Sequence, residues 1–210
     1  MSETSTGPGL RERKKLQAMR TIQVVALDLF DKHGYAKVTV EQVAAEAEVS
    51  PSSVYRYFGT KERLVLHDEY DPQLLTLLAT DSTPIVTAGD LLSRIRTIVA
   101  GVLDHLDREE LRKIERRMRY SVTEPDVRTR MARDAEGIAV QLRELIAQRS
   151  GASPESLEIR VVVAAALWGF LGAVDLWVES DFAESLVSLI DRTMDILSRG
   201  GDVVLAGPVS

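Results

Sequence analysis

Cysteine is absent from all 210 residues, which removes disulfides and thiolate metal sites and, with them, any sign of an oxidising compartment. Histidine is scarce. His33, His67 and His105 are the three, each on a different predicted helix or helix end, and none has a partner at metal-binding spacing such as H-E-x-x-H. No G-x-S-x-G, phosphate-binding loop or dinucleotide fingerprint occurs. An enzyme reading therefore finds no machinery, and neither a cofactor nor a metal is expected. The N-terminus lacks the charged-then-apolar pattern of a secretion signal. Long apolar runs are lacking too: the longest uncharged one, Val161 to Val174, has 14 residues. A membrane span needs roughly 20. These absences leave a soluble cytoplasmic protein as the expectation, with chain enough to bury a substantial core.

Net positive charge is also missing, since the formal charge is -6. Its distribution matters more than its sum. Residues 1–70 carry ten Lys/Arg and ten Asp/Glu, so the acidity lies wholly in the remainder. Within that neutral third, Arg11, Arg13, Lys14, Lys15 and Arg20 cluster against Glu3 and Glu12. Such a patch attracts a duplex even on an acidic protein. The alternative is a solvated basic tail.

Helical patterns fill the chain, with no convincing strand and no internal repeat. Residues 1–9 and 200–210 read as flexible tails. The first helix spans about Leu10 to Lys32, its stripe being Met19, Ile22, Ala26 and Leu29 at three- and four-residue spacing. Gly34 suits its left-handed exit. Thr39 and Gln42 form a T-x-x-Q capping box, with Val38 and Val43 as a hydrophobic staple, and the helix runs to about Ala47. Ser50 with Pro51 opens the next, which ends near Phe58. Thr60 is expected to cap a fourth. Thr39 to Phe58 thus has helix-turn-helix length, with Val43, Ala44, Val49, Val54 and Phe58 as its core. Ser52, Ser53, Tyr55, Arg56 and Tyr57 are left for its outside. Further helices are expected at roughly 61–79, 88–106, 108–121, 125–150, 154–178 and 181–199. Pro72 is a candidate break in the first of these. Pro84, Pro125, Gly151 and Pro154 mark boundaries, and both Pro125 and Pro154 suit the first helical position.

The run from Thr39 to Glu62, TVEQVAAEAEVSPSSVYRYFGTKE, resembles the DNA-binding domain of the TetR family of bacterial regulators. Ala26, Leu29, Phe30, Gly34 and Tyr35 look like that family's first helix and its exit. The resemblance implies an all-α fold of about nine helices. Residues 10–60 would form a three-helix DNA-binding domain, and 61–199 a helical ligand-binding and dimerisation domain. It implies that residues 51–58 enter the major groove, with Ser52, Ser53, Arg56 and Tyr57 nearest bases or phosphates. Thr39, Tyr55 and Lys61 would meet phosphates, positioning without reading sequence. Partial packing of Tyr57 on the first helix and an ordinary solvated Lys61 are the plainer alternatives. The chain departs from the family at Glu48, where glycine is usual between the two helices.

In the second half, Val161 to Val174 includes Ala164, Ala165, Ala166, Gly169, Gly172 and Ala173. A helix apolar all round must be buried all round, which suggests a subunit interface as well as a core. Phe182, Leu186, Leu189, Ile190, Met194 and Leu197 form a second stripe. TetR-like proteins pair their last two helices in a four-helix dimer interface. That assigns Ala165, Gly169, Gly172, Leu186, Ile190 and Met194 to it, the alternative being a large monomeric core. Arg117 to Met131, the Ala-Gln-Arg-Ser-Gly ending at Gly151 and the alanine-rich Trp168 helix resemble the C-terminal domain of mycofactocin-type TetR regulators. Those are associated with acyl-coenzyme A. The resemblance implies an apolar tunnel with Arg116, Arg117 and Arg119 at its mouth, and Trp168 and Asp175 as further ligand candidates. The alternatives are a solvated basic face balanced by Glu109, Glu110 and Glu115, and a structural Asp175.

The expectation is a homodimeric regulator on a pseudo-palindromic double-stranded operator, blocking transcription until a small hydrophobic or acyl-CoA-like effector releases it, with no membrane partner. The fourth helix, joining both domains, is the expected lever. A ligand-responsive activator of the same fold, and a helical interaction module without DNA function, are the other readings. The exposed Tyr55–Tyr57 surface and Lys61 argue against the latter.

Overall fold

The computed structural model describes residues 9–68, 71–81, 83, 85 and 87–200. Almost all of the two expected tails, and the boundary at Pro84, lie outside these. Ten helices follow in order: α1 Leu10–His33, α2 Val40–Glu46, α3 Pro51–Phe58, α4 Glu62–Leu66, α5 Asp71–Thr80, α6 Ala88–Asp104, α7 Arg108–Thr123, α8 Pro125–Ser150, α9 Leu157–Glu179 and α10 Leu186–Ser198. A 3₁₀ turn, Tyr35–Lys37, joins α1 to α2, and no strand occurs among the described residues.

The caps explain most boundaries. Gln42 N–H donates to the Thr39 hydroxyl at 3.3 Å, and the Thr39 N–H donates to Gln42 Oε1 at 2.8 Å, closing the capping box. Ser50 caps α3, and Pro125 opens α8, where its missing N–H costs nothing. Residues 61–79 are split into two helices, in line with the candidate break at Pro72, which lies in the first turn of the second. Three boundaries differ from expectation. Thr60 does not cap α4; its hydroxyl is buried without a hydrogen-bond partner, and Lys61 precedes the first helical residue. Helix α9 starts after Ser156, whose hydroxyl accepts from the Ile159 N–H at 3.4 Å, leaving Pro154 in the preceding turn. Likewise α10 starts after Ser185, because Asp181 and Phe182 take left-handed φ of 52° and 62° that no helix accommodates.

Three apolar clusters hold the chain. The first packs Ile22, Ala26 and Phe30 of α1 on Val43, Ala44, Val54 and Phe58, and it includes Leu64 and Val65 of α4 and Val127 of α8. Helix α8 therefore roots its first turn in the helix-turn-helix core. The second joins α6, α7, α9 and α10 around Trp177, Leu189 and Ile190. The third joins α5, α6, α8 and α9 around Leu91, Leu142 and Val163.

Helix α9 is long and apolar enough to cross a membrane by length and composition alone, with a mean hydropathy of 2.0 over its most apolar stretch. One side is core: Val163, Ala166, Val174 and Trp177 are buried. The other is bare. Leu157, Val161, Ala164, Trp168, Gly172 and Leu176, spaced three and four apart, are all exposed.

Candidate nucleic-acid interface

Helix α3 is held by its apolar side. Val54 and Phe58 are 1% and 3% exposed, which turns Ser52, Tyr55 and Arg56 outward, with Ser53 and Tyr57 at the flanks. The Ser50 hydroxyl accepts from the Ser53 N–H and lies 2.9 Å from the hydroxyls of both Ser52 and Ser53, so the first turn carries a cluster of small donors and acceptors. The Arg56 guanidinium lies 4.9 Å from the Tyr57 ring centroid, and Tyr57 packs its remaining face on the first cluster. Tyr55, 48% exposed, reaches Glu41 Oε1 at 3.4 Å. These small, hydrogen-bonding or stacked groups stand on a two-turn helix, which is what reading a groove requires.

The α2–α3 turn settles the departure at Glu48. This residue adopts φ 54°, the left-handed backbone that glycine takes without a Cβ penalty. The turn keeps its bonds: the Val49 N–H donates to the Ala44 carbonyl at 2.9 Å. The strain is carried, and α3 is still placed.

Lys61 faces inward. Its ammonium donates to the Tyr35 carbonyl at 2.6 Å and lies 4.1 Å from the Tyr35 ring centroid. Burial pushes it down from the ordinary lysine range, against the opposing pull of Glu62, Glu124 and Asp126. The Thr39 hydroxyl accepts from the Gln42 N–H in the capping box, which leaves its own O–H to donate.

The α7 arginines do not converge on a cavity. Arg116 donates to Asp28 at 2.7 Å and Asp31 at 2.6 Å, both on α1. The Tyr120 hydroxyl also donates to Asp31. Arg117, 4% exposed, donates to the His67 carbonyl at 2.6 Å and to Asp68 at 2.7 Å. Gln23 of α1 donates to the Leu64 and His67 carbonyls at 3.0 and 2.9 Å, so α1 and α7 together cap the end of α4. Arg119 pairs with Asp181 and stacks on Phe182, bracing the turn before α10. Asp175 takes a two-pronged bond from Arg128, both contacts 2.7 Å. Trp168, 62% exposed, lies in an open recess of about 610 Å³ with Pro125, Arg128 and Arg133. Sequence reasoning missed Asp28, Asp31, Asp68 and Arg128, whose partners lie tens of residues away and leave no local pattern.

The residues assigned to a subunit interface also divide. Leu186, Ile190 and Met194 are 7%, 1% and 3% exposed inside the subunit's own core, and so have no side chain to offer a partner. Gly169 faces α10 of the same chain, where a Cβ would meet Thr193 Cγ2 at 2.9 Å. Ala165 is half-buried, and Gly172 is exposed on the bare stripe of α9.

Comparison with known proteins agrees with this architecture. Residues 22–67 match the bacterial regulatory proteins of the tetR family. Residues 90–202, more than half of the chain, match the MftR C-terminal domain. A protein named as a mycofactocin biosynthesis transcriptional regulator, MftR, of Mycobacterium tuberculosis is 23% identical over 90% of this chain and 94% of its own length. The HTH-type transcriptional regulator TcmR of Streptomyces glaucescens is 43% identical over 30% of this chain, and the match spans 28% of TcmR. Among solved structures, the fatty acid degradation regulator FadR of Bacillus halodurans superposes with a TM-score of 0.58 at 18% identity, covering 96% of this chain and all of that one. FadR of Bacillus subtilis in complex with stearoyl-CoA gives 0.54 at 20% identity, covering 86% and 98%. With both halves matched and the helix-turn-helix in place, the chain belongs to the TetR family of transcriptional regulators and carries an MftR-type C-terminal domain.

Proposed function

We propose that this regulator is a cytoplasmic homodimeric repressor that seats α3 of each subunit in successive major grooves of a pseudo-palindromic operator. The observation that carries the reading is the outward face of α3. Ser52, Tyr55 and Arg56 have no core to bury in, and the Arg56 guanidinium lies over the Tyr57 ring, 4.9 Å from its centroid. Two such helices about 34 Å apart match one turn of duplex. Ser52, Ser53, Arg56 and Tyr57 meet bases or adjacent phosphates, while Thr39 and Tyr55 hold the backbone. Lys61 reaches phosphate only by leaving the Tyr35 carbonyl. Nothing in the site calls for catalysis.

The partner subunit covers the bare stripe of α9, with Val161, Ala164, Trp168, Gly172 and Leu176 interlocking with their own copies about a two-fold axis. A bilayer is the poorer occupant, since Arg128 and Arg133 of α8 line the same recess as Trp168. The effector is a small apolar or acyl-CoA-like molecule held in the bundle of residues 90–178. The MftR-type domain and the stearoyl-CoA complex of B. subtilis FadR support this class. Because Arg116, Arg117 and Tyr120 tie α7 to α1 and α4, an effector that shifts α7 shifts the reading heads with it. It empties the operator only by binding the shifted state more tightly.

A mobility shift with the DNA upstream of the gene tests the reading. Retardation lost on Arg56→Ala, whose side chain is exposed, with the thermal melt unchanged, supports it; unchanged affinity of that variant refutes the assignment.

A further inference from the structure

The first nine residues of α1 have no core behind them. From Leu10 to Ala18 every side chain is exposed or half-buried, and Met19 is the first to enter the apolar cluster. The overhang is about 13 Å long at 1.5 Å per residue, and it precedes the family-matched segment, which starts at residue 22. Within residues 10–20 the charges are Arg11, Arg13, Lys14, Lys15 and Arg20 against the single Glu12.

Arg11, Lys14 and Lys15 stand at i, i+3 and i+4, on one face of the helix. With Glu12 they line a recess of about 670 Å³ that they share with Arg56 and Tyr57 of α3. Among the described residues, Lys15 approaches Glu12 at 3.7 Å, both about half exposed. A projecting helix with like charges at i and i+4 is marginal by itself, because repulsion costs some tenths of a kcal/mol and no burial offsets it. A polyanion reverses that balance. The recess is continuous with the recognition helix, so the polyanion beside it is the same duplex.

We propose that the overhang of α1 is a second DNA-contacting element, a clamp on the sugar–phosphate backbone flanking each half-site, with Arg11, Lys14 and Lys15 as phosphate ligands. This rests on the DNA-binding reading of α3 and extends it: α3 discriminates sequence, while the overhang adds sequence-independent affinity.

The test is a salt titration of duplex binding by the full-length protein and by the variant Arg11→Gln/Lys14→Gln/Lys15→Gln. Two probes are used: a random-sequence duplex, and a duplex selected in vitro by the wild type. The substituted residues touch no core, so circular dichroism and melting temperature should match the wild type. Each lost phosphate contact lowers the slope of log K against log [salt] by about 0.9, so the variant's slope should fall by about 3 per subunit, with equal loss on both probes. A slope equal to wild type on duplexes that the wild type binds overturns the clamp while leaving α3 intact, as does a loss confined to the selected duplex. If the wild type binds neither probe at low salt, the DNA-binding reading itself falls, and the clamp with it.

Discussion

Replacing Glu48 by glycine should make the protein more stable, although it removes a side chain and adds no contact. Glu48 is exposed and held at φ 54° between α2 and α3. A residue with a Cβ pays roughly 1–2 kcal/mol in that conformation. Glycine pays nothing there but loses more freedom on folding, a cost of about 0.4–1 kcal/mol. The difference favours glycine by about 0.5–1 kcal/mol, which for a chain of this size raises Tm by roughly 1–4 °C. Glu48→Gln is the control, because it removes the same charge and keeps the Cβ. Differential scanning calorimetry of the three proteins in one buffer should place Glu48→Gly above both others, with Glu48→Gln close to wild type. A glycine variant melting at or below the glutamine variant would show that the turn stores no strain.

Three further outcomes follow from the packing. Arg117→Ala removes one of the two donors to the His67 carbonyl, where Gln23 remains, and the 2.7 Å guanidinium bond to the partly buried Asp68, and urea unfolding should show a loss of about 3 kcal/mol, with Arg117→Lys losing less. Gly169→Ala drives a Cβ into Thr193 Cγ2, whose rotamer is pinned by its hydroxyl bond to the Leu189 carbonyl at 2.8 Å. Its cost of about 1 kcal/mol should be recovered by adding Thr193→Ser, which removes that methyl; no recovery in the double variant would place the strain elsewhere. Trp168→Asp puts a charge at the centre of the bare α9 stripe, and light scattering should then find single subunits with unchanged helicity; a persisting dimer would move the interface off α9.

Local chemistry was legible and long-range chemistry was not. The Thr39–Gln42 box, Ser50-Pro51 and Pro125 mark their helices because capping is settled within four residues. The outward face of α3 was readable for the same reason: the buried Val54 and Phe58 fix which side of the helix turns out. The apolar stripe of α10 was equally visible, but periodicity tells only that a face is buried, not by which chain. So Leu186, Ile190 and Met194 were expected at a partner and lie in the subunit's own core. The α7 arginines show the same limit. Their row of positive charge looks like a ligand mouth until Asp28, Asp31 and Asp68 arrive from the other end of the sequence. Lys61, expected to face phosphate, turns onto the Tyr35 carbonyl because the 3₁₀ turn brings that acceptor within reach.

In vitro selection from a random duplex library, followed by determination of how many subunits bind each recovered duplex, bears most directly on the paired use of α3. The account predicts enrichment of two inverted half-sites with centres about 10 base pairs apart, each duplex holding two subunits. Recovery of unrelated sequences, or of one half-site bound by one subunit, would contradict it.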